Sequence, residues 1–151
     1  MGELSLDVIR FCAEECARQE SGELSVYRMC HAWSELFEDS DEKPRRTWLE
    51  AVLHVAKIVE PEKNANGFRH QPVTVRGNVI PIRDFDRLLL RLCGGAAIFQ
   101  ITPEEWYREF EEIHPFNDGN GRVGAIFYNY LGGLDDGKPR TPPDFWSEAS
   151  P

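Results

Sequence analysis

The chain has 151 residues, 41% of them hydrophobic, and a formal charge of −9 from 26 acidic against 17 basic side chains. That length buries one core and not two, so a single domain over residues 1–151 is expected. The charge repels a phosphate backbone and the longest basic run is Arg45-Arg46, which excludes nucleic acid as a main partner.

No stretch approaches the roughly 20 continuous apolar residues of a membrane span, and no basic region followed by an apolar block opens the chain. A cytoplasmic protein that does not engage membranes is expected. Cys12, Cys16, Cys30 and Cys93 form no C-x-x-C pair, which fits a reducing compartment and ordinary buried thiols.

In chain order, Leu6, Ile9, Cys12, Ala13, Cys16 and Ala17 recur at helical spacing behind Ser5, predicting a first helix to about Arg18. A second is expected from Glu23 to Phe37, with Leu24, Tyr27, Cys30, His31, Ser34 and Phe37 on one stripe. A third is expected to start at Pro44 and to carry Trp48, Val52, Val55 and Val59 before Pro61 stops it. Residues 1–60 thus read as a helical bundle.

The polar block Glu60 to Gly67 breaks the period, and two β-rich runs follow, Pro72 to Val75 and Val79 to Ile82, around a Gly77-Asn78 turn. With no other strand candidate in the chain, this hairpin over about 72–82 stands alone with free edges. Helix resumes from Asp84 to Cys93, where Phe85, Leu88, Leu89 and Leu92 mark the buried side, and Gly94-Gly95 end it. Residues Ala96 to Ile101 fit either state.

Thr102-Pro103-Glu104-Glu105 is a strong helix start, combining a threonine cap, proline at the first position and glutamate three residues on. That helix runs through Trp106, Phe110 and Ile113 to His114, where Pro115 ends it. Asn117 to Gly121 read as a loop, and Arg122 to Leu131 as a further helix stopped at Gly132-Gly133. A proline-rich tail, 134–151, is expected along the surface with Phe145 and Trp146 as anchors.

The segment HPFNDGNGR, His114 to Arg122, concentrates the chemistry. Gly119-Asn120-Gly121 lead into a helix N-terminus, where unpaired amides, the positive end of the helix dipole and glycine's close approach make an anion site. Arg122 in the first turn is disfavoured by that dipole and tolerable when an anion binds nearby. Asp118 beside the anion suits a ligand for Mg²⁺ bridging phosphate oxygens. His114 at the helix–loop junction is placed to take a proton from an attacking hydroxyl. Phe116 would plug the loop into the core. The spacing Gly119-x-Gly121-x-x-Gly124 also matches a dinucleotide fingerprint, but that needs a preceding strand and a βαβ unit, whereas a capped helix precedes it here.

HPFNDGNGR resembles the signature of the Fic (filamentation induced by cAMP) family, written HxFx(D/E)GNGRxxR, over its first nine positions. The resemblance extends over most of Gly67 to Gly133, because such domains have a hairpin flap before the motif, a Thr-Pro-capped helix leading into it, and an asparagine seven residues after the first motif arginine, here Asn129. It implies an all-α fold, a mainly helical bundle with one small β-hairpin. It also implies a protein adenylyltransferase that moves AMP from ATP to a Ser, Thr or Tyr hydroxyl of a target protein, with Mg²⁺.

By that resemblance His114 is the general base and Asp118 the Mg²⁺ ligand. Asn117, Gly119, Asn120, Gly121, Arg122 and Asn129 bind the nucleotide and its phosphates, and Val73, Thr74, Val75 and Arg76 hold the target segment by β-augmentation. The departure is Ala125, where the family places a second arginine near the γ-phosphate. It opens slow adenylylation, another donor or pose, or binding without turnover; a degenerate nucleotide- or peptide-binding domain and a Doc-like phosphotransferase are the alternatives. Doc-type motifs replace the glycines flanking the asparagine with alanine and lysine, whereas Gly119 and Gly121 are kept. Ser34 to Glu38 is the nearest counterpart of the family's inhibitory (S/T)xxxE(G/N) segment, but Asp39 follows it and its arginine partner is missing, so it reads as ordinary helix. An antitoxin or self-association is left open as a partner.

Overall fold

A computed structural model describes residues 4–38, 47–94, 100–144 and Trp146. Three N-terminal helices come first: α1 (Leu6–Arg18), α2 (Glu23–Phe37) and α3 (Trp48–Val59). Ser5 caps α1 by accepting from the Val8 amide at 3.2 Å, as its sequence position predicts. The expected start of the third helix at Pro44 is corrected. Pro44 lies outside the described residues, and α3 begins at Trp48 because Thr47 Oγ1 accepts from the Glu50 amide at 3.1 Å.

The hairpin is β1 (Val73–Val75) paired antiparallel with β2 (Asn78–Ile80), in register Val73 to Ile80, Thr74 to Val79 and Val75 to Asn78. Its turn is Arg76-Gly77, one residue earlier than expected, because a two-residue hairpin loop takes positive φ at both central positions and these residues have φ of 48° and 82°. Among the described residues no further strand joins it, so the outer edge of β1 is unpaired.

Helix α4 (Phe85–Cys93) is capped by Asp84. Gly95 and the run Ala96 to Phe99 lie outside the described residues. Thr102 caps α5 (Pro103–Ile113), its hydroxyl accepting from the Glu105 amide at 3.1 Å. The next helix, α6, spans Asn120–Gly132, two residues earlier than predicted, because Gly119 takes φ +77° and starts the helix itself. No helix among the described residues is long and apolar enough to cross a membrane.

The described residues are helical with one small hairpin, and a single core runs through all six helices, with α6 packed on α2, α3 and α5. Trp106 stacks on Phe110 with ring centroids 5.1 Å apart, and Phe127 lies 5.6 Å from Trp106. Phe116 is fully buried, 5.6 Å from the Phe68 ring and 6.4 Å from Phe110, so the motif loop is pinned to the core as expected. The four cysteines are free thiols; Cys12, Cys16 and Cys93 are buried, and Ser34 is buried in α2 with its hydroxyl lacking a hydrogen-bond partner among the described residues.

Candidate active site

The helix–loop–helix from α5 to α6 forms the floor of a cleft of 990 Å³. β1 and Arg76 form one wall, Glu15, Arg18 and Gln19 at the end of α1 another, and Thr141 to Asp144 with Trp146 a third. His114, Asn117, Asp118, Gly119, Asn120 and Gly121 all line it, so residues that the sequence placed in one motif do share one space.

His114 ends α5 in the left-handed conformation, φ 48° and ψ 62°, a strained state for a non-glycine residue. Three contacts hold it there. Its amide donates to the Phe110 carbonyl at 2.9 Å, Arg69 Nε donates to its carbonyl at 2.6 Å, and its Nδ1 lies 3.3 Å from the Glu111 carbonyl. A carbonyl only accepts, so Nδ1 carries the proton and Nε2 keeps its lone pair. Burial lowers the imidazole to about 4, so the ring is neutral at pH 7, the form that accepts a proton.

Asn120 clamps the loop: its Nδ2 donates to the Phe116 carbonyl at 2.9 Å and its Oδ1 accepts from the Phe116 amide at 3.0 Å. Its side chain is therefore turned inward, and what it and Gly121 present to the cleft is backbone, in the first turn where the helix supplies no acceptors for its amides. A β-carbon on Gly121 would lie 2.9 Å from the Gln19 amide oxygen, and one on Gly119 would lie 2.8 Å from Val59 Cγ1. Glycine is required at 119 by its positive φ and by the close approach of Val59, whereas at 121 the neighbour is the movable end of Gln19.

Arg122 is only 2% exposed and pairs with Glu60 Oε1 at 2.9 Å, with Asp118 Oδ1 3.6 Å away. Its Nε and Nη1 are buried without hydrogen-bond partners. Unspent donors on a buried guanidinium beside a helix N-terminus fit an anion in the cradle.

Asp118 accepts from its neighbour's amide, Gly119 N, at 2.7 Å and from Lys63 Nζ at 2.8 Å. Burial pushes its carboxyl up, but the Lys63 and Gly119 bonds and the Lys63 and Arg122 charges outweigh that and hold it below the usual range. A single ionised carboxylate at the mouth of a phosphate cradle fits Mg²⁺, which takes one or two carboxylates and completes its shell with water and phosphate oxygens. Among the described residues no cluster of three or more ligating side chains cages an ion, so a cation here would share its shell with the phosphate.

Residues 105–131 match the model of the Fic/DOC family, from α5 through the motif loop into α6. Over that segment the chain is similar to the Fic/DOC family. No curated protein matches it.

One residue expected at the site lies elsewhere. Asn129 is fully buried away from the cleft; its side chain accepts from the Arg140 amide at 2.6 Å and donates to the Arg140 and Ala125 carbonyls, tying the tail to α6. Arg122 does not line the cleft itself but lies beside Gly119, paired with Glu60. Ala125 is fully buried in the core face of α6.

The motif loop also has supports that its local sequence does not encode. Asn64 Nδ2 donates to the Asp118 carbonyl at 3.0 Å, and the Lys63 carbonyl accepts from Asn117 Nδ2 at 2.8 Å. Arg69, 1% exposed, donates to the carbonyls of Gln71, Ile80, Pro81, Ile113 and His114 and lies over the Phe85 ring at 4.7 Å, joining the hairpin to the end of α5. Of the expected tail anchors, Phe145 lies outside the described residues. Trp146 donates from its indole N–H to Glu111 Oε2 at 3.3 Å.

Proposed function

We propose that this cytoplasmic Fic protein transfers AMP from ATP to a Ser, Thr or Tyr hydroxyl of a target protein. The observation that carries the reading is the sharing of one cleft by a neutral His114, a glycine-lined helix N-terminus and the unpaired edge of β1. A base, an anion site and a strand template are the three things that such a transfer needs from a protein.

In this reading the target chain lies along Val73 to Val75 as an added strand, with Arg76 at its end. The target hydroxyl oxygen forms a bond to the α-phosphorus while its proton passes to His114 Nε2. The bond from that phosphorus to the bridging oxygen breaks, and pyrophosphate leaves. The amides of α6 and the buried Arg122 stabilise the charge gathering on the phosphate oxygens, and the clamp at Asn120 fixes those amides beforehand. Mg²⁺ held by Asp118, when bound, supplies further neutralisation of the phosphate oxygens.

Incubation with α-labelled ATP and Mg²⁺ is expected to label a target pool or the protein itself, with signal lost in His114→Ala. Equal signal in both proteins, or none across nucleotides and lysates, refutes the transfer. Label arriving from the γ- and not the α-phosphate selects Doc-like phosphotransfer instead.

A second reading rests on one specific observation. Ala125 is fully buried and brings no cation to the cleft, which favours a domain that binds nucleotide without turnover. Calorimetric binding of Mg²⁺-ATP with no mass increment on any protein after long incubation supports it over transfer.

A further inference from the structure

The cations around the cleft are mostly committed. Arg18 pairs with Glu15, Arg76 with Asp144 at 3.0 Å, and Arg122 with Glu60 at 2.9 Å. Lys63 differs in its partner, Asp118, the carboxylate that suits a divalent cation. Its side chain is 61% exposed, so the ammonium can leave at little cost.

The backbone behind it does not share that freedom. The Lys63 carbonyl accepts from Asn117 Nδ2 at 2.8 Å, and Asn64 Nδ2 donates to the carbonyls of both Asp118 and Ala56, at 3.0 and 3.1 Å. Residues 63 and 64 are thereby fastened to residues 117 and 118. A long, mobile ammonium is tethered at a fixed point on the rim of the phosphate cradle.

An ammonium at 2.8 Å and a divalent cation cannot use the same carboxylate oxygen together, since like charges at that separation repel strongly. Either the cation is excluded or the lysine moves. The exposed four-carbon stem lets it move, and the nearest unneutralised anion after a nucleotide binds is the phosphate chain in the cradle.

Resting on the nucleotide reading above, we propose that Lys63 is an exchangeable phosphate cation. It occupies Asp118 before ligand arrives, yields that oxygen to the divalent ion, and turns onto the outer phosphates of the nucleotide. A purely structural surface salt bridge would do neither of the last two things, and the proposal therefore requires one substitution to move two affinities in opposite directions.

Calorimetry on the whole protein reads both, with Mg²⁺ alone as one probe and ATP in EDTA as the other. In Lys63→Gln, Mg²⁺ is expected to bind about threefold to tenfold tighter, because its competitor is gone. ATP without metal is expected to bind about tenfold weaker, the loss of one charge-assisted contact. Lys63→Arg should keep the ATP affinity, and the melting temperature of both variants should stay near that of the parent, since the pair is exposed.

Mg²⁺ affinity unchanged in Lys63→Gln, or both affinities falling together, overturns the proposal even where the parent binds ATP well. If the parent binds Mg²⁺ but no ATP, the nucleotide reading has failed and the phosphate half of the proposal falls with it. Binding of ATP that depends on Lys63 in a protein that transfers nothing retains the proposal and removes only the transfer.

Discussion

At the scale of single residues, His114 is where geometry and protonation agree. Its Nδ1 is spent on the Glu111 carbonyl and burial holds its ring at about 4, against an ordinary value of 6.5. A base works above its own value, so the acid limb of kcat/KM against pH is expected near pH 4, with no loss between 7 and 5. A limb near 6.5 would show that the ring is solvated in the working state. The motif was legible as one group because its residues are contiguous, and six of them do line one cleft. Glu60, Lys63, Asn64 and Arg69 were not. Their contacts with the motif span 62, 55, 54 and 45 residues, and nothing local distinguishes Arg69 from any other arginine on a polar run. Asn120 was read for its position in the motif, yet its side chain acts on Phe116 and leaves the cradle to backbone amides.

At the scale of elements, capping and periodicity carried most boundaries. Ser5, Asp84 and Thr102 each cap the helix predicted to follow, and the hairpin lies within its expected run. The start of α3 was missed because Pro44 and Thr47 offer competing start signals three residues apart, and Thr47 is the one whose side chain bonds the first turn. What periodicity does not encode is how elements are joined, and here one side chain does much of it. Arg69 bonds to carbonyls from the loop before β1, from the end of β2 and from the end of α5. Arg69→Ala would leave several buried carbonyls unsatisfied and is expected to cost about 3 kcal/mol or more in urea unfolding. The Val73 to Ile80 amides should also exchange faster with solvent, because the hairpin loses its link to α5. Arg69→Lys is expected to restore little of this, since an ammonium cannot match a planar fork that reaches five carbonyls. Full stability in Arg69→Ala would mean that the hairpin is held by its Val and Ile side chains instead.

At the scale of the whole molecule, buried Glu111 and half-buried His114 set opposing dependences of stability on pH. Burial raises Glu111 from 4.5 to about 7, opposed by the Trp146 hydrogen bond, and lowers His114 from 6.5 to about 4. The folded state keeps a proton on Glu111 that the unfolded chain releases, so this contribution is complete below pH 4.5 and is lost as pH rises to about 7. The folded state refuses a proton on His114 that the unfolded chain accepts, so that contribution is complete above pH 6.5 and is lost as pH falls toward 4. Between about 4.5 and 6.5 each changes stability by roughly 1.4 kcal/mol per pH unit with opposite sign, and they cancel. Glu15, raised chiefly by burial against its Arg18 pair, adds to the Glu111 side, and relief of repulsion in a chain of charge −9 does the same. Asp118, held low, loses its contribution only below its ordinary 3.8, outside this window. The parent is therefore expected to show a nearly flat or gently falling stability from pH 4.5 to 6.5. Removing one partner exposes the other. Glu111→Gln should make stability rise with pH across that window, by up to about 3 kcal/mol, and His114→Ala should make it fall toward pH 7 by a similar amount. Urea unfolding of the three proteins at pH 4.5, 5.5 and 6.5 checks this directly. Parallel curves would mean that neither group is shielded as the cleft places it, and would remove the neutral imidazole on which the proposed base role of His114 depends.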